Sequence, residues 1–344
     1  MTLHNSSCGC LEDAPPAAPG GSAGATSPCA CTGHSPRHAW AELLRLPALF
    51  SVPGDALAGT AATGATPNAR TLLAIGSSLC LYEAGMALND WADRDIDAVE
   101  RPHRPLPSGR IRPASALTAA CALTGAGLAL AARAGRPALA VAAPLAATVW
   151  AYDLGLKHTP AGPVAMAAAR GLDLLLGAAA TTGRTRPAVP SAALLGTHTL
   201  AVTTVSRQEA QGGSPLAPLA ALATTALLAR VVTRRPSEHR GATARDPLGP
   251  RTTRPPGTAL GWKPAAHLTT ALAAAYVAAT ARPYFHATLN PSPPLTQRAV
   301  GAGVRATIPL QATLTARSKG TATALLIAAL APLGARFAQK VSVT

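Results

Sequence analysis

The amino-acid sequence predicts an all-α integral membrane bundle of nine or ten transmembrane helices, and three observations carry that expectation. The chain is 48% hydrophobic and only 13% charged, with a mean hydropathy of +0.22; a soluble domain carries about 25% charged residues. Apolar stretches of roughly 18 residues or more recur along it, close to the ~20 that cross a bilayer as a helix. Clusters of Pro and Gly separate them: "SGRIRPAS", "ARAGRP", "KHTPAGP", "GRTRPAVP" and "GGSPLAP".

In order, the stretches run 39–64, 68–89, 114–133, 136–153, 162–181, 188–205, 216–233, 264–281, 298–316 and 320–335. Ala, Leu, Gly and Thr dominate them, and small residues let membrane helices approach closely. The ninth stretch contains Arg298 and Arg305, which is why the count is nine or ten. Short connections imply antiparallel neighbours in one bundle. The exception is 234–263, basic and proline-rich, which reads as a flexible loop. Residues 1–36 are rich in Gly, Pro, Ala and Ser and are expected to be disordered, because they cannot bury enough apolar surface to fold. The membrane domain then occupies 37–344. The first residues lack the apolar core of a secretory signal. Cys8, Cys10, Cys29 and Cys31 form two C-x-C pairs, with His34 and His38 nearby, rather than the C-x₂-C of zinc sites; they read as a silent, reduced tail, with a soft-metal clip as the alternative. Cys80 and Cys121 lie in apolar stretches and read as small core residues.

The net charge of +15 raises the question of nucleic acid. Its placement excludes that class, because the basic residues sit mainly between apolar stretches, as in loops beside a membrane. At 3%, aromatic residues are also too few for a single-strand binder. Arg101, Arg104, Arg110 and Arg112 put the 98–113 loop in the cytoplasm by the positive-inside rule. The N-terminus and the 157–160 and 206–214 loops follow to the same side. The basic 234–263 loop then falls outside, against the rule.

One segment breaks the apolar pattern. "GMALNDWADRDIDAVERPHRPLPSGRI" holds Asp90, Asp93, Asp95, Asp97 and Glu100, a third of the chain's 15 acidic residues. On one continuous helix, Asp90, Asp93 and Asp97 share a sector of about 60°, with Asp95 pointing away. Three carboxylates on one face repel one another unless a cation sits between them. Hard oxygen ligands suit Mg²⁺, which completes its shell with waters and phosphate oxygens. Arg101 and Arg104 follow at once, the right chemistry for a diphosphate's remaining charge. Within the apolar stretches, Arg170 and Asp173 at i, i+3 can face one another, and Asp55 is a third intramembrane charge; such residues are functional candidates by default. Glu83 lies on the helix face of Asp90 and can line a pocket. His198 and His267 read as buried or interfacial histidines rather than bases.

"NDWADRDID" resembles the NDxxDxxxD signature of the UbiA superfamily of intramembrane prenyltransferases, and "RPLPSG" at 104–109 resembles the segment that follows it. "YDLGLK" at 152–157 is similar to the family's Y-x-x-x-L-K segment, and "LLRLPALFSVPGDALAG" to its first helix. The resemblance covers 39 to about 340. It implies a helical bundle with a cavity open to the cytoplasm, set in the bacterial cytoplasmic membrane. Mg²⁺ on Asp90, Asp93 and Asp97 would grip a prenyl diphosphate, with Lys157 on the diphosphate. Asn89, Tyr152, Arg101, Arg104, Asp55, Arg170 and Asp173 would bind substrate, and an acceptor would be alkylated. The family's second acidic motif reads "TTVSRQEAQGG" here, leaving Glu209 as its only carboxylate for metal, with Arg207 standing in as a fixed cation. In this the chain looks closest to a divergent bacterial branch associated with Ebo-type clusters. Prenyl transfer to a polar or aromatic acceptor leads. A UbiA-type terpene cyclase is the alternative, disfavoured by the scarcity of aromatic faces. A non-catalytic membrane protein or transporter is less favoured, given the Asp triad, Lys157 and the lack of a broken-helix pair.

Overall fold

The computed structural model describes residues 36–45, 50–208, 213–234, 264–318 and 320–341. All the regular structure among them is helical: α1 (Pro36–Leu43), α2 (Val52–Ala62), α3 (Ala69–Ala92), α4 (Arg94–Glu100), α5 (Pro113–Ala134), α6 (Arg136–Leu154), α7 (Gly162–Thr182), α8 (Val189–Ser206), α9 (Leu216–Thr233), α10 (Pro264–Leu289), α11 (Pro293–Arg317) and α12 (Thr321–Val341). From α5 onward each long helix packs against the next, and α3 packs against α5, α6 and α7.

Local chemistry sets the boundaries. Asn68 caps α3 by accepting from the amides of Arg70 and Thr71 at 2.9 and 3.2 Å, while the Thr71 hydroxyl accepts from the Asn68 amide at 3.0 Å. Prolines open α5, α6, α7 and α8 in their first turn, where a missing N–H costs nothing. Gly183 closes α7 at φ 73°, a left-handed cap that favours glycine.

Among the described residues six helices, α3 and α5 to α9, are long and apolar enough to cross a membrane, and the protein is an integral membrane protein. Further apolar helices accompany these six, and length and composition alone do not bring the count to nine or ten. α10 and α11 are long, at 26 and 25 residues, but less apolar, with Arg282 in α10 and Arg298, Arg305 and Arg317 in α11; the apolar part of α12 is the shorter Thr321–Gly334. The first expected span, 39–64, contains two separate helices instead of one. α2 has only 11 residues and is buried along almost its whole length. Its packing against α7 requires backbone contact. A Cβ on Gly59 would meet the Leu174 carbonyl oxygen at 1.9 Å, and one on Gly177 would meet that of Ala56 at 2.2 Å. The 1–36 tail up to Ser35 and the 234–263 loop beyond Arg234 lie outside the described residues.

Candidate active site

The C-terminal ends of α3, α6 and α8 meet the N-terminal end of α7 and the 101–112 segment at one end of the bundle. There a polar pocket of about 440 Å³ is lined by five basic side chains, Arg45, Arg101, Arg104, Lys157 and Arg207, with Asp93 as the carboxylate in its wall. Directly adjoining it, an apolar cavity of about 270 Å³ runs into the bundle between α3, α6 and α7. Leu81, Met86, Leu145, Val149, Met166 and Ala169 line its sides. Arg45, Asn89 and Tyr152 belong to both spaces and form the neck between them.

The acid run does not form one helix. α3 stops at Ala92, Asp93 sits at its C-cap with φ −90° and ψ 0°, and α4 starts afresh at Arg94. Asn, Asp and Trp are weak helix formers, and Asn and Asp compete for the backbone with their side chains, so the run breaks where they crowd. The cation that the three carboxylates need is supplied in large part by the chain itself. Arg104 bridges Asp97 at 2.6 Å and Asp90 at 3.6 Å; Arg45 reaches Asp90 at 3.1 Å. Arg101 lies 3.8 Å from Asp97. Lys157, on a single 3₁₀ turn between α6 and α7, holds Asp93 at 2.7 Å and donates to Asn89 Oδ1 at 3.3 Å. Asp95 is 83% exposed and pairs only with its neighbour Arg94 among the described residues. Arg207 donates to the Thr159 carbonyl, tying the end of α8 to the loop that carries Lys157. Glu209 lies outside the described residues.

The deeper charges arrange themselves differently from the i, i+3 expectation. Arg170 pairs with Asp55 on α2 at 3.0 Å and, among the described residues, forms no salt bridge with Asp173. Gln311 of α11 donates to Asp55 at 2.6 Å and to the Ser51 carbonyl at 2.8 Å. Asp173 accepts instead from the Ser78 hydroxyl. A fully buried Asp55 needs a cation, and the close α2–α7 crossing puts Arg170 within its reach. Arg170, Asp173 and Ser78 line the inner end of the apolar cavity, with Asp55 behind them. Glu83 is buried off both cavities, with no hydrogen-bond partner for either oxygen. His198 bonds Tyr276 and the Gly303 carbonyl, each at 3.0 Å, a satisfied core histidine.

Two residues that line these spaces escape sequence reasoning. Arg45 stands at φ 47°, a left-handed conformation rare outside glycine. Its signal was a lone arginine inside an expected span. Asp153 is 5% exposed in the last turn of α6 and lines the apolar cavity beside Tyr152. Its signal was a carboxylate within "YDLGLK".

The oxygen donors match Mg²⁺ in kind, and Asp93 Oδ1 is buried without a hydrogen-bond partner beyond its ion pairs. No three acidic, His or Cys side chains among the described residues form a ready-made cage. A metal that takes one or two carboxylates and fills its shell from phosphate and water fits this arrangement.

Known proteins share this architecture. The digeranylgeranylglyceryl phosphate synthase of Methanothrix thermoacetophila is 38% identical over 112 residues, 32% of this chain and 42% of that one. The chain spans about half the length of the curated relatives it matches. The apo structure of a UbiA homolog from Aeropyrum pernix K1 superposes with a TM-score of 0.56 at 20% identity, over 77% of this chain and 96% of that one. A UbiA homolog from Archaeoglobus fulgidus, solved bound to GPP and Mg²⁺, gives a TM-score of 0.53 at 18% identity, over 82% and 98%. The family model described as UbiA prenyltransferase family matches residues 48–234, more than half of the sequence, and the chain belongs to that family.

Proposed function

We propose that the protein is a membrane-embedded, Mg²⁺-dependent prenyltransferase that moves an isoprenoid chain from a prenyl diphosphate to a polar or aromatic acceptor. One observation carries the reading: a pocket with five cations and one carboxylate opens through a shared neck into an apolar cavity. The first space suits a diphosphate and the second suits a hydrocarbon chain. The A. fulgidus neighbour solved with GPP and Mg²⁺ supports the pairing of substrate and metal.

In this reading Arg45, Arg101, Arg104, Lys157 and Arg207 take the diphosphate oxygens. Asp90, Asp93 and Asp97 would hold the metal, joined by Glu209, and Asn89 orients Lys157. When bound, Mg²⁺ neutralises charge on the leaving diphosphate. The protein's own cations act in the same sense, most strongly as the C–O bond breaks and charge builds on the leaving oxygen. The apolar walls keep bulk water from the allylic cation while the acceptor attacks. Arg170 and Asp173 contact the bound organic groups from the inner end, and Asp55 acts through Arg170. Among the described residues only Tyr82 and Tyr152 present aromatic rings to the cavity, which favours transfer over cyclisation.

The catalytic unit is 37–344, the 1–36 tail and 234–263 loop being accessory, and its site faces the cytoplasm of a bacterial cell. Incubating detergent-purified protein with Mg²⁺ and radiolabelled prenyl diphosphates, with and without source-cell extract, tests the activity. Absence of both diphosphate release and labelled product overturns it. For topology, a single cysteine at Ser108 in a Cys-free background should resist an impermeant thiol reagent in intact cells and react after lysis. Labelling in intact cells inverts the assignment.

A further inference from the structure

Asp153 is a carboxylate for which the reading above has no use. It occupies the last turn of α6, 5% exposed, and lines the apolar cavity next to the neck residue Tyr152. Across the cavity it faces Gly85 of α3, where a Cβ would sit 3.7 Å from its Oδ2. The four aspartates of the acid run each hold a basic side chain within 4 Å. Asp153 forms no ion pair or hydrogen bond among the described residues. Lys157, Arg45, Asp93 and Asp90 all act on it electrostatically, so it stands within reach of the diphosphate pocket. Both cations are already committed, Lys157 to Asp93 and Arg45 to Asp90.

A buried carboxylate left without a donor is costly unless a ligand brings one. Here it lies in the wall of the hydrocarbon space, next in the chain to Tyr152, which borders the diphosphate space as well. We propose that Asp153 is the acceptor-facing base of the site, and that the acceptor is an uncharged compound presenting a hydroxyl to it. The inference rests on the prenyl transfer reading and adds to it a residue and a substrate class. The C1–O bond of the prenyl diphosphate breaks, and its electron pair leaves with the diphosphate. A lone pair of the acceptor oxygen forms the new C–O bond. The hydroxyl proton passes to Asp153 and from there to water. The acceptor's charge follows from the same walls. Asp153 and Asp173 line the cavity together with Arg45 and Arg170, so the formal charges of the wall already balance and leave no surplus to neutralise an ionic acceptor. A neutral hydroxyl donates to Asp153 and needs no counter-charge.

The test uses the full chain in detergent with Mg²⁺ and radiolabelled geranyl diphosphate, offered benzyl alcohol or the shape-matched benzoate. Two products are counted, inorganic diphosphate and geranylated probe. The wild type should geranylate benzyl alcohol and not benzoate. In Asp153→Asn, the ratio of geranyl benzyl ether to diphosphate should fall by about a hundredfold, the usual scale of a lost general base. Asp153→Glu should restore part of the ratio. A merely structural role lowers both products together and leaves the ratio alone; that result, or a wild-type ratio in Asp153→Asn, overturns the base. Benzoate used as readily as benzyl alcohol overturns the acceptor class, and so does diphosphate release by the wild type without ether. Should the wild type release no diphosphate, the prenyl transfer reading itself falls, a result distinct from all of these. Thermal unfolding of each variant in the same detergent guards against misfolding, and Asp153→Glu carries the ratio test if Asp153→Asn does not fold.

Discussion

Two clusters of carboxylates and arginines stand at opposite ends of the apolar cavity, and burial divides them. At the mouth, Arg45 and Arg101 line a 440 Å³ polar space and are 42% and 51% exposed, while their aspartate partners Asp90 and Asp97 are buried behind them. At the inner end, Asp55 is wholly buried and clasped by Arg170 and Gln311, joining α2, α7 and α11. Similar ions therefore meet different fates. The cations of the mouth pairs are half solvated and face the pocket, so an arriving diphosphate can draw them toward itself at modest cost. The inner pair has no solvent to fall back on, and breaking it strands a charge. The mouth is built to exchange partners and the inner end to keep them.

The sharpest way to break this contrast is at Asp55. Asp55→Ala leaves Arg170 buried without its partner and should cost about 3–5 kcal/mol of stability. Thermal unfolding in detergent reads the loss directly. The double variant Asp55→Leu, Arg170→Met removes both charges and should recover most of it, since apolar replacements of buried pairs are often neutral. An Asp55→Ala protein that unfolds at the wild-type temperature would put the inner cluster in the same class as the mouth.

At the mouth the effect should appear in rate. Asp90→Ala and Asp93→Ala should each lower prenyl transfer by at least ~100-fold in the radiolabel assay, because each removes a proposed Mg²⁺ ligand. Both should also free a cation, Arg45 or Lys157, that now lies against the lost carboxylate. Turnover that persists in both variants would mean that the acid run is only a charge clamp. Arg207→Ala should act more gently. Its side chain lines the polar pocket without holding a carboxylate among the described residues. Losing one charge-assisted hydrogen bond to a phosphate oxygen should raise the KM for prenyl diphosphate roughly tenfold. A change in kcat alone would move Arg207 from binding to the chemical step.

What the sequence made legible follows the same division. The helical bundle was readable because apolar runs and Pro/Gly punctuation are local signals, and α5 to α9 lie where those signals put them. The short α2 was not, since 39–64 is as apolar as a true span; only the close Gly59 and Gly177 crossings show it to be an inner strut. In the acid run, the residue types pointed to diphosphate chemistry, but periodicity cannot foresee a helix that stops at Ala92 and restarts at Arg94. Arg170 has two carboxylates within plausible reach, and sequence spacing favoured the nearer in the chain. Packing chose Asp55, because a group buried against α11 outbids one that has the Ser78 hydroxyl. Arg45 and Asp153 come from separate elements, and nothing short of the fold brings them to one cavity.

The smallest expected effect sharpens the comparison from the other side. Asp95 belongs to the same run as Asp90, Asp93 and Asp97, and composition alone treats the four alike. The break after α3 separates them: Asp95 falls in the first turn of α4, 83% exposed, 3.4 Å from the adjacent Arg94 and away from both cavities. An exposed pair of that kind contributes at most a fraction of a kcal/mol and is screened by salt. Asp95→Ala should therefore leave turnover within about twofold of wild type under conditions where Asp93→Ala is nearly inactive. Raising the salt concentration should not widen that gap, because the pair is already solvated. If Asp95→Ala instead loses as much as Asp93→Ala, the acid run acts as one undivided field. The line drawn here between residues facing the pocket and residues facing water would then be misplaced.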